Sequence, residues 1–213
     1  MGNNDAINFY NKLSKKIINP LELRNKSKDT SVLDVAFISN YADKNKTLLD
    51  IGSGTGLLVN HLYDKFKKII AIENYIEFSK YIVPNKKIEI KNENLLTFDY
   101  IQEHFDIATA FGSMHYFDEK ESIKIYTEVF KNLPKNGIFI IKNQMGVNED
   151  VLITHSDELN SDYFAQYRFV EKEIKNLEKI GFTLLEKRDI YPSHYNRFTN
   201  THFYALVLQK KIV

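Results

Sequence analysis

The segment "LLDIGSGTGLL" (48–58) decides the fold of this chain. An apolar, strand-like run ends at the acidic Asp50, glycines follow at alternate positions (Gly52, Gly54 and Gly56), and apolar residues then resume at helical spacing. A strand, a glycine-rich turn and a helix in this order form the ligand-binding corner of an open α/β sheet. Because glycine has no side chain, the backbone can approach a ligand closely there. The segment predicts a ligand site that combines a carboxylate with exposed backbone.

The composition excludes several classes of protein. The chain has 213 residues, is 43% hydrophobic and 27% charged, carries a formal net charge of +1, and contains no cysteine. A nearly neutral chain has no global field to attract nucleic acid or a membrane surface, and without cysteine it has no disulfide framework, thiolate metal site or cysteine nucleophile. The N-terminal residues lack an apolar core of signal-peptide length, and no apolar run reaches membrane-spanning length. We therefore expect a cytoplasmic protein without a nucleic-acid or membrane partner.

Strand-like and helix-like segments alternate from residue 47 onward. The strand-like runs lie at 47–51, 68–73, 87–91, 105–111 and 137–143, and the helix-like segments between them lie at 56–66, 74–82 and 119–133. This alternation predicts βαβ units and a parallel sheet with helices on both faces. A helix at 167–182 followed by strands at 183–191 and 202–209 predicts an antiparallel C-terminal hairpin. The predicted fold class is α/β, with a Rossmann-like, seven-stranded, mostly parallel sheet.

These elements fit a single domain over residues 1–213. Two helix-like segments, 5–18 and 31–42, form an N-terminal helical cover (1–42) that we expect to lie over the ligand site. Residues 45–143 form the half that binds the ligand at the glycine turn. Residues 144–213 form a substrate-side part with a loop, a helix and the edge hairpin. Within it, residues 144–166 are polar and patternless and predict a loop or lid.

The ligand at the glycine turn must tolerate the carboxylate of Asp50. The dinucleotide pattern G-x-G-x-x-G is not met because the third glycine comes one residue early, and the Gly-Lys-Ser/Thr ending of a P-loop is absent. A cationic or amine-bearing cofactor suits Asp50 better than a pyrophosphate. Glu73 ends the second strand, where an acid accepts hydrogen bonds from ribose hydroxyls, and Asn94 with the Leu95 amide lies where a loop can contact an adenine edge. Together these positions predict an adenosine with a positively charged amino-acid tail.

The chain resembles the class I S-adenosylmethionine-dependent methyltransferase family. The matching segments are LLDIGSGTG (48–56), IAIE (70–73), NENLLTF (92–98), FDIATAFGSMHYF (105–117) and LPKNGIFIIKN (133–143), in the family's order and spacing. The resemblance implies S-adenosyl-L-methionine as cofactor, S-adenosyl-L-homocysteine as product, and no metal. It also implies the following cofactor-binding residues: Asp50, Gly52, Ser53, Gly54, Gly56, Glu73, Asn74, Asn94, Leu95 and Phe111. Asn94 departs from the family, which usually has Asp there, but its side chain can still accept from the adenine amino group.

Two residues after the fourth strand are candidates for the chemistry. Methyl transfer from a sulfonium is an in-line displacement, so the protein must position the nucleophile and, for a hydroxyl, remove its proton. His115 and Tyr116 follow the strand close to the expected methyl position. Since histidine titrates near neutral pH, we predict that His115 is the general base or orients the acceptor. The alternative is that His115 only caps the loop or packs beneath the cofactor.

The acceptor is predicted from the polar, aromatic-rich C-terminal third of the chain. Arginine suits a phosphate group, and the candidate substrate-binding residues are Tyr116, Gln144, Arg168, His194 and Arg197; alternatively, the C-terminal ones satisfy each other at the sheet edge. We expect a small polar acceptor, a bacterial sugar or phosphate-bearing metabolite methylated on a hydroxyl, and a monomer or homodimer. The alternatives are N-methylation of a small amine and a non-catalytic cofactor-binding interaction module. Modification of tRNA or rRNA is disfavoured by the near-neutral charge.

Overall fold

The computed structural model describes residues 3–23, 29–156, 161–196 and 198–211. The described helices are α1 (Asn3–Ser14), α2 (Ser31–Ser39), α3 (Val59–Leu62), α4 (Ile76–Ser79), α5 (Glu119–Asn132) and α6 (Val170–Ile180). The described strands are β1 (Thr47–Ile51), β2 (Lys68–Ile72), β3 (Ile88–Lys91), β4 (Ile107–Phe111), β5 (Ile138–Gly146), β6 (Val151–Ser156), β7 (Ser161–Tyr167), β8 (Phe182–Asp189) and β9 (Thr201–Lys210). Short 3-10 turns include Pro20–Leu23, Met114–Tyr116 and Ser193–Tyr195.

The main sheet has seven strands in the order β3-β2-β1-β4-β5-β9-β8. The first five are mutually parallel, and β9 runs antiparallel to both β5 and β8. This architecture confirms the predicted fold class, including the C-terminal hairpin. The strand order reverses between β1 and β4, and open α/β sheets bind ligands at such a switch point, outside the carboxyl ends of the strands.

The central strands are buried on both faces. Leu48 and Leu49 are adjacent on β1, and neither is exposed. Leu48 packs in a cluster with α2 and α3, whereas Leu49 packs in the cluster that includes Tyr126 of α5 and Leu177 of α6. A strand covered on both sides needs apolar residues at consecutive positions, and this is why β1 and β2 are continuous apolar runs in the sequence.

The segment 144–166 is not the loop that the sequence predicted. β5 continues to Gly146, and β6 pairs with β7 as a separate two-stranded antiparallel sheet. The ring of Tyr163 on β7 packs edge-on against Phe9 of α1, with 4.7 Å between centroids. The hairpin is stabilised by this contact with a distant helix, so its own residues show no clear strand pattern.

The two N-terminal helices lie in different places. α1 packs against β7, whereas α2 packs against the sheet through Ile38 and Phe37. Regular helix is also shorter than predicted in α3 and α4, because turns complete the rest of 56–66 and 74–82. None of the described helices is long and apolar enough to cross a membrane.

Candidate active site

A cavity lies at the carboxyl ends of β1, β2 and β4. Most of its wall comes from the loops that leave these strands and β3: Asp50, Gly52, Ser53, Gly54, Thr55, Glu73, Asn74, Tyr75, Asn94, Leu95, Phe111, Gly112, Ser113 and Tyr116. Nine of the ten predicted cofactor-binding residues are in this set. The tenth, Gly56, is absent because it faces Ile82, whose Cγ1 atom lies 2.7 Å from where a Cβ of residue 56 would be.

The glycine turn brings the first strand against the loop after the fourth. Gly52 has φ +74°, and a Cβ atom built on it would lie 2.5 Å from Cβ of Ser113. The hydroxyl of Ser113 donates to the carbonyl of Ile51 at 2.9 Å. Only glycine fits this approach, so the first glycine of the motif serves the packing between two loops as well as the shape of the cavity.

Asp50 presents a buried carboxylate to the cavity. Its side chain is only 3% exposed, and Oδ1 accepts a hydrogen bond from Thr109 Oγ1 at 2.7 Å. Thr109 is its partner in the β1–β4 register, so two strand ends fix the orientation of the carboxyl group. A buried carboxylate in this position favours a cationic group on a ligand.

Glu73 is the second carboxyl group in the wall. Oε2 accepts from the Gly54 amide at 2.8 Å, and Oε1 accepts from the Tyr75 amide at 2.9 Å. Burial raises the pKa of Glu73 to about 7, backbone hydrogen bonds oppose this shift, and the nearby Asp50 adds to it. Asn92, which sequence reasoning missed, donates from Nδ2 to the Glu73 carbonyl at 3.0 Å and thereby helps to fix the strand end.

Asn94 shapes the third loop. Its Oδ1 accepts from the Leu96 amide at 2.9 Å, and its carbonyl accepts from the amides of Thr97 and Phe98. Asp and Asn form such turns equally well. The departure from the family's Asp therefore leaves the local backbone unchanged, and Leu95 is held beside Asn94 in the cavity wall.

α1 covers the cavity with one face. The cavity-lining residues Asn3, Ala6, Ile7 and Tyr10 follow the spacing of a single helix stripe. The Tyr10 and Tyr116 hydroxyls are hydrogen-bonded to each other, Asn3 Nδ2 donates to the Tyr116 carbonyl at 3.0 Å, and Tyr75 donates to the Ile7 carbonyl at 3.0 Å. α1 therefore forms part of the cavity wall, whereas α2 contributes none of the lining residues.

His115, the predicted catalytic residue, does not line the cavity in this conformation. Its Nδ1 atom lies 3.3 Å from Oδ1 of Asn143. Its ring lies against that of Tyr116, with 4.0 Å between centroids. Tyr116 does line the cavity, so His115 is separated from it by one aromatic ring.

Three other predicted substrate-binding residues, Gln144, Arg168 and His194, do not line the cavity. Gln144 is inside the sheet, where its Nε2 donates to Thr201 Oγ1 at 2.6 Å. His194 is exposed and stacks on Tyr195, and Arg197 lies outside the described residues. Arg168 is buried, and its guanidinium is fully used within the protein: it pairs with Glu173 and donates to the carbonyls of Met114 and Phe117. Arg168 therefore holds the turn that carries His115 and Tyr116.

The polar and apolar groups of the cavity wall fit an adenosine with a charged tail. The carboxylates of Asp50 and Glu73 are both in the wall, and apolar residues such as Ile72, Leu95 and Phe111 line it with them. Gly112, with φ +76°, also lines it, and a Cβ atom built there would meet nothing within 4 Å. The wall thus offers acceptors for an amine and for hydroxyls beside apolar surface for a flat base.

The sequence matches a family described as "Methyltransferase domain" over residues 29–205. The chain belongs to the class I S-adenosylmethionine-dependent methyltransferases. It is therefore an enzyme whose cofactor is S-adenosylmethionine. The match runs from before β1 to residue 205 within β9, so it covers most of the main sheet rather than the glycine turn alone.

Solved structures share this methyltransferase fold. One is the 1,6-didemethyltoxoflavin-N1-methyltransferase of Burkholderia thailandensis with bound 1,6-didemethyltoxoflavin and S-adenosylhomocysteine (TM-score 0.72, 12% identity, 96% of this chain and 90% of that chain). Another is a methyltransferase of Methanosarcina mazei (TM-score 0.68, 22% identity, 83% of this chain and 98% of that chain).

A curated relative of this methyltransferase is the ribosomal RNA small subunit methyltransferase A of Mesomycoplasma hyopneumoniae. It is 29% identical over 140 residues, which are 62% of this chain and 52% of the relative. The chain thus spans about half the length of this relative.

Proposed function

We propose that this methyltransferase methylates a small polar acceptor inside a cavity that α1 partly covers. The observation that carries the proposal is the position of α1, whose inner face forms part of the cavity wall and is hydrogen-bonded to the loops around it. A cavity covered by a helix admits a small molecule more readily than a nucleotide within a folded RNA. The relative that acts on 1,6-didemethyltoxoflavin has the same fold and a small acceptor.

The cofactor-binding roles follow from the chemistry of the wall. We assign the cofactor's amine to Asp50, its ribose hydroxyls to Glu73, and its adenine to Asn94 and Leu95. The backbone of Gly52, Ser53 and Gly54 and the side chain of Asn74 complete the wall, with Phe111 as the floor beside the sulfur. Gly56 shapes the turn without touching the ligand. When bound, S-adenosylmethionine supplies a methyl group activated by the sulfonium.

The protein's own chemical task is then to orient a nucleophile and to hold its proton. Tyr116 is the polar ring of the turn after β4 that faces the cavity, and His115 lies behind it. We propose that His115 accepts the proton of a hydroxyl acceptor when the Tyr116 ring moves. A general base of this kind contributes on the order of 10²–10⁴ in rate.

The expected sugar or phosphate group now has little support. Of the side chains proposed to bind it, Tyr116 lines the cavity but Gln144, Arg168 and His194 do not, and the described cavity wall contains no arginine or lysine. We therefore retain the small polar acceptor and its O-methylation but not the phosphate. N-methylation of a small amine is the alternative, because an unprotonated amine needs no base.

The first test is calorimetric titration with S-adenosylmethionine and S-adenosylhomocysteine, with NAD as the control ligand. We expect both sulfur nucleotides to bind and NAD not to bind. Transfer of a labelled methyl group is then measured to small phenols, hydroxylated heterocycles and amines, and separately to small ribosomal subunits. Transfer to the ribosomal subunits alone would contradict the small-acceptor proposal, whereas transfer to a small molecule would support it.

The His115→Ala variant separates the two kinds of acceptor. We expect O-methylation to fall by about 10²-fold or more, because the hydroxyl proton has no acceptor. N-methylation of a neutral amine should change by less than about tenfold, because a neutral amine does not need a base to attack the methyl group. Full O-methylation by the variant would show that His115 only packs beside Tyr116.

A further inference from the structure

Asn143 carries an unused hydrogen-bond donor next to the candidate base. The residue is 2% exposed, and its Oδ1 atom lies 3.3 Å from Nδ1 of His115. Its Nδ2 group is buried and has no hydrogen-bond partner in the part of the chain that the structure describes. Buried side-chain donors nearly always have a partner in native proteins, and an exception calls for an explanation such as a ligand or a catalytic role.

The strand geometry places Asn143 on the face of the sheet next to the turn that carries His115 and Tyr116, and like His115 it does not line the cavity in this conformation. Its neighbours on β5 point to the other face of the sheet, where Lys142 bonds to Tyr191 and Gln144 bonds to Thr201. Because side chains alternate along a strand, Asn143 shares its face with Ile141 and Met145, which pack with Met114 and Phe117 on either side of the turn that carries His115 and Tyr116.

Aromatic rings surround this face. The His115 ring lies 5.4 Å from that of Tyr167, and the Tyr116 ring lies 6.2 Å from that of Tyr163. Tyr163 and Tyr167 come from β7, so the hairpin that the sequence did not predict packs against this turn. Aromatic walls bind flat rings through offset or edge contacts.

We propose that the methyl acceptor is a small flat ring molecule with a hydrogen-bond-accepting atom, a ring nitrogen or a carbonyl oxygen, and that Asn143 Nδ2 donates to that atom when the Tyr116 ring moves. The inference rests on the proposed function and adds the class of acceptor. An amide oxygen only accepts, so His115 Nδ1 donates to Asn143 Oδ1 and the other ring nitrogen, Nε2, is unprotonated in the neutral ring. One amide thus binds the acceptor and sets the tautomer of the base.

The test uses two probes of the same shape, 8-hydroxyquinoline and 1-naphthol, which differ by one ring nitrogen. Their dissociation constants are measured with EDTA and saturating S-adenosylhomocysteine. We expect the wild-type enzyme to bind 8-hydroxyquinoline about tenfold more tightly, the worth of one hydrogen bond. In the Asn143→Leu variant this ratio should fall to about one, with unchanged affinity for S-adenosylhomocysteine. Asn45→Leu, in an exposed turn, is the control and should keep the ratio.

Thermal unfolding distinguishes a ligand-binding amide from a structural one. In a His115→Phe background, where the hydrogen bond from His115 Nδ1 to Oδ1 is already absent, leucine at position 143 should leave the unfolding midpoint equal or higher, because the unsatisfied donor is removed. Asn143→Asp, which replaces the donor by an acceptor, should also abolish the preference and serves if the leucine variant does not fold. A wild-type ratio near one, binding of neither probe, or a preference retained in both variants would overturn the proposal. The S-adenosylhomocysteine titration tests the proposed function separately.

Discussion

At the scale of single residues, Glu73 is buried, which disfavours its ionised form, although the proposed hydrogen bonds from ribose hydroxyls need the ionised carboxylate. Burial raises its pKa to about 7, so the folded protein holds the proton more tightly than the unfolded chain does. The stability associated with Glu73 is then fully present below pH 4.5 and is lost as the pH rises through 7. The whole effect amounts to about 3 kcal/mol at most.

Glu73→Gln should therefore remove a pH dependence and weaken cofactor binding. We expect urea unfolding of the variant to lose less stability between pH 5 and 8 than the wild type does. The wild-type affinity for S-adenosylhomocysteine should rise as the pH increases through 7, because ribose hydroxyls donate to the ionised carboxylate, and the variant should bind weakly at every pH. Glu178→Gln, on the exposed face of α6, is the control. Identical pH profiles for Glu73→Gln and wild type would contradict the assignment.

Gly112 is a second residue of the cavity wall. Its position in the sequence does not single it out, because it belongs to no glycine motif. Gly112→Ala should cost about 1–2 kcal/mol of unfolding free energy for its positive φ. It should also weaken binding of S-adenosylhomocysteine, because the methyl group faces the cavity. Gly181→Ala also has a positive φ but lies outside the cavity, so it should destabilise the protein without changing that affinity. Equal affinities for both variants would show that Gly112 does not face the ligand.

At the scale of elements, α1 depends on a few hydrogen bonds for its position over the cavity. Tyr10→Phe removes the hydroxyl that contacts Tyr116. One such bond is worth about 0.5–1.5 kcal/mol, so S-adenosylhomocysteine should dissociate several-fold faster, as measured by stopped-flow or surface plasmon resonance. Tyr63→Phe, at the end of α3 and outside the cavity, should leave the rate unchanged. Equal dissociation rates for Tyr10→Phe and wild type would mean that the ligand leaves by another route.

The strand ends explain which site residues could be predicted. Asp50, Glu73 and Phe111 lie at or just past the ends of parallel strands, and these ends all meet at one edge of the sheet. Gln144 was expected to leave β5 at this edge. Because β5 continues to Gly146 beside β9, Gln144 instead lies within the sheet. The structural role of Arg168 could not be predicted from its neighbours in the sequence, because the carbonyls that it binds belong to Met114 and Phe117, far away in the chain.

At the scale of the whole molecule, a buried ion pair joins three distant parts of the chain. Lys142 of β5 lies 3.3 Å from Asp34 of α2, and both side chains are nearly inaccessible, at 3% and 0% exposure. Tyr191, which follows β8, donates to Asp34 at 2.6 Å and accepts from Lys142 at 2.8 Å. The sequence could not predict this group because its members have no common motif, and it fixes α2 on the sheet rather than over the cavity.

Lys142→Met should remove the cation that pairs with the buried Asp34 and lower the unfolding free energy by about 3–5 kcal/mol. Lys142→Met combined with Asp34→Asn removes both charges and keeps an acceptor for Tyr191, so the double variant should recover most of that loss. Urea unfolding of the wild type, both single variants and the double variant gives the coupling energy between the two residues. Because neither residue lines the cavity, the affinity of the folded variants for S-adenosylhomocysteine should equal that of the wild type. A single Lys142→Met variant as stable as the wild type would show that α2 is held by its apolar contacts alone.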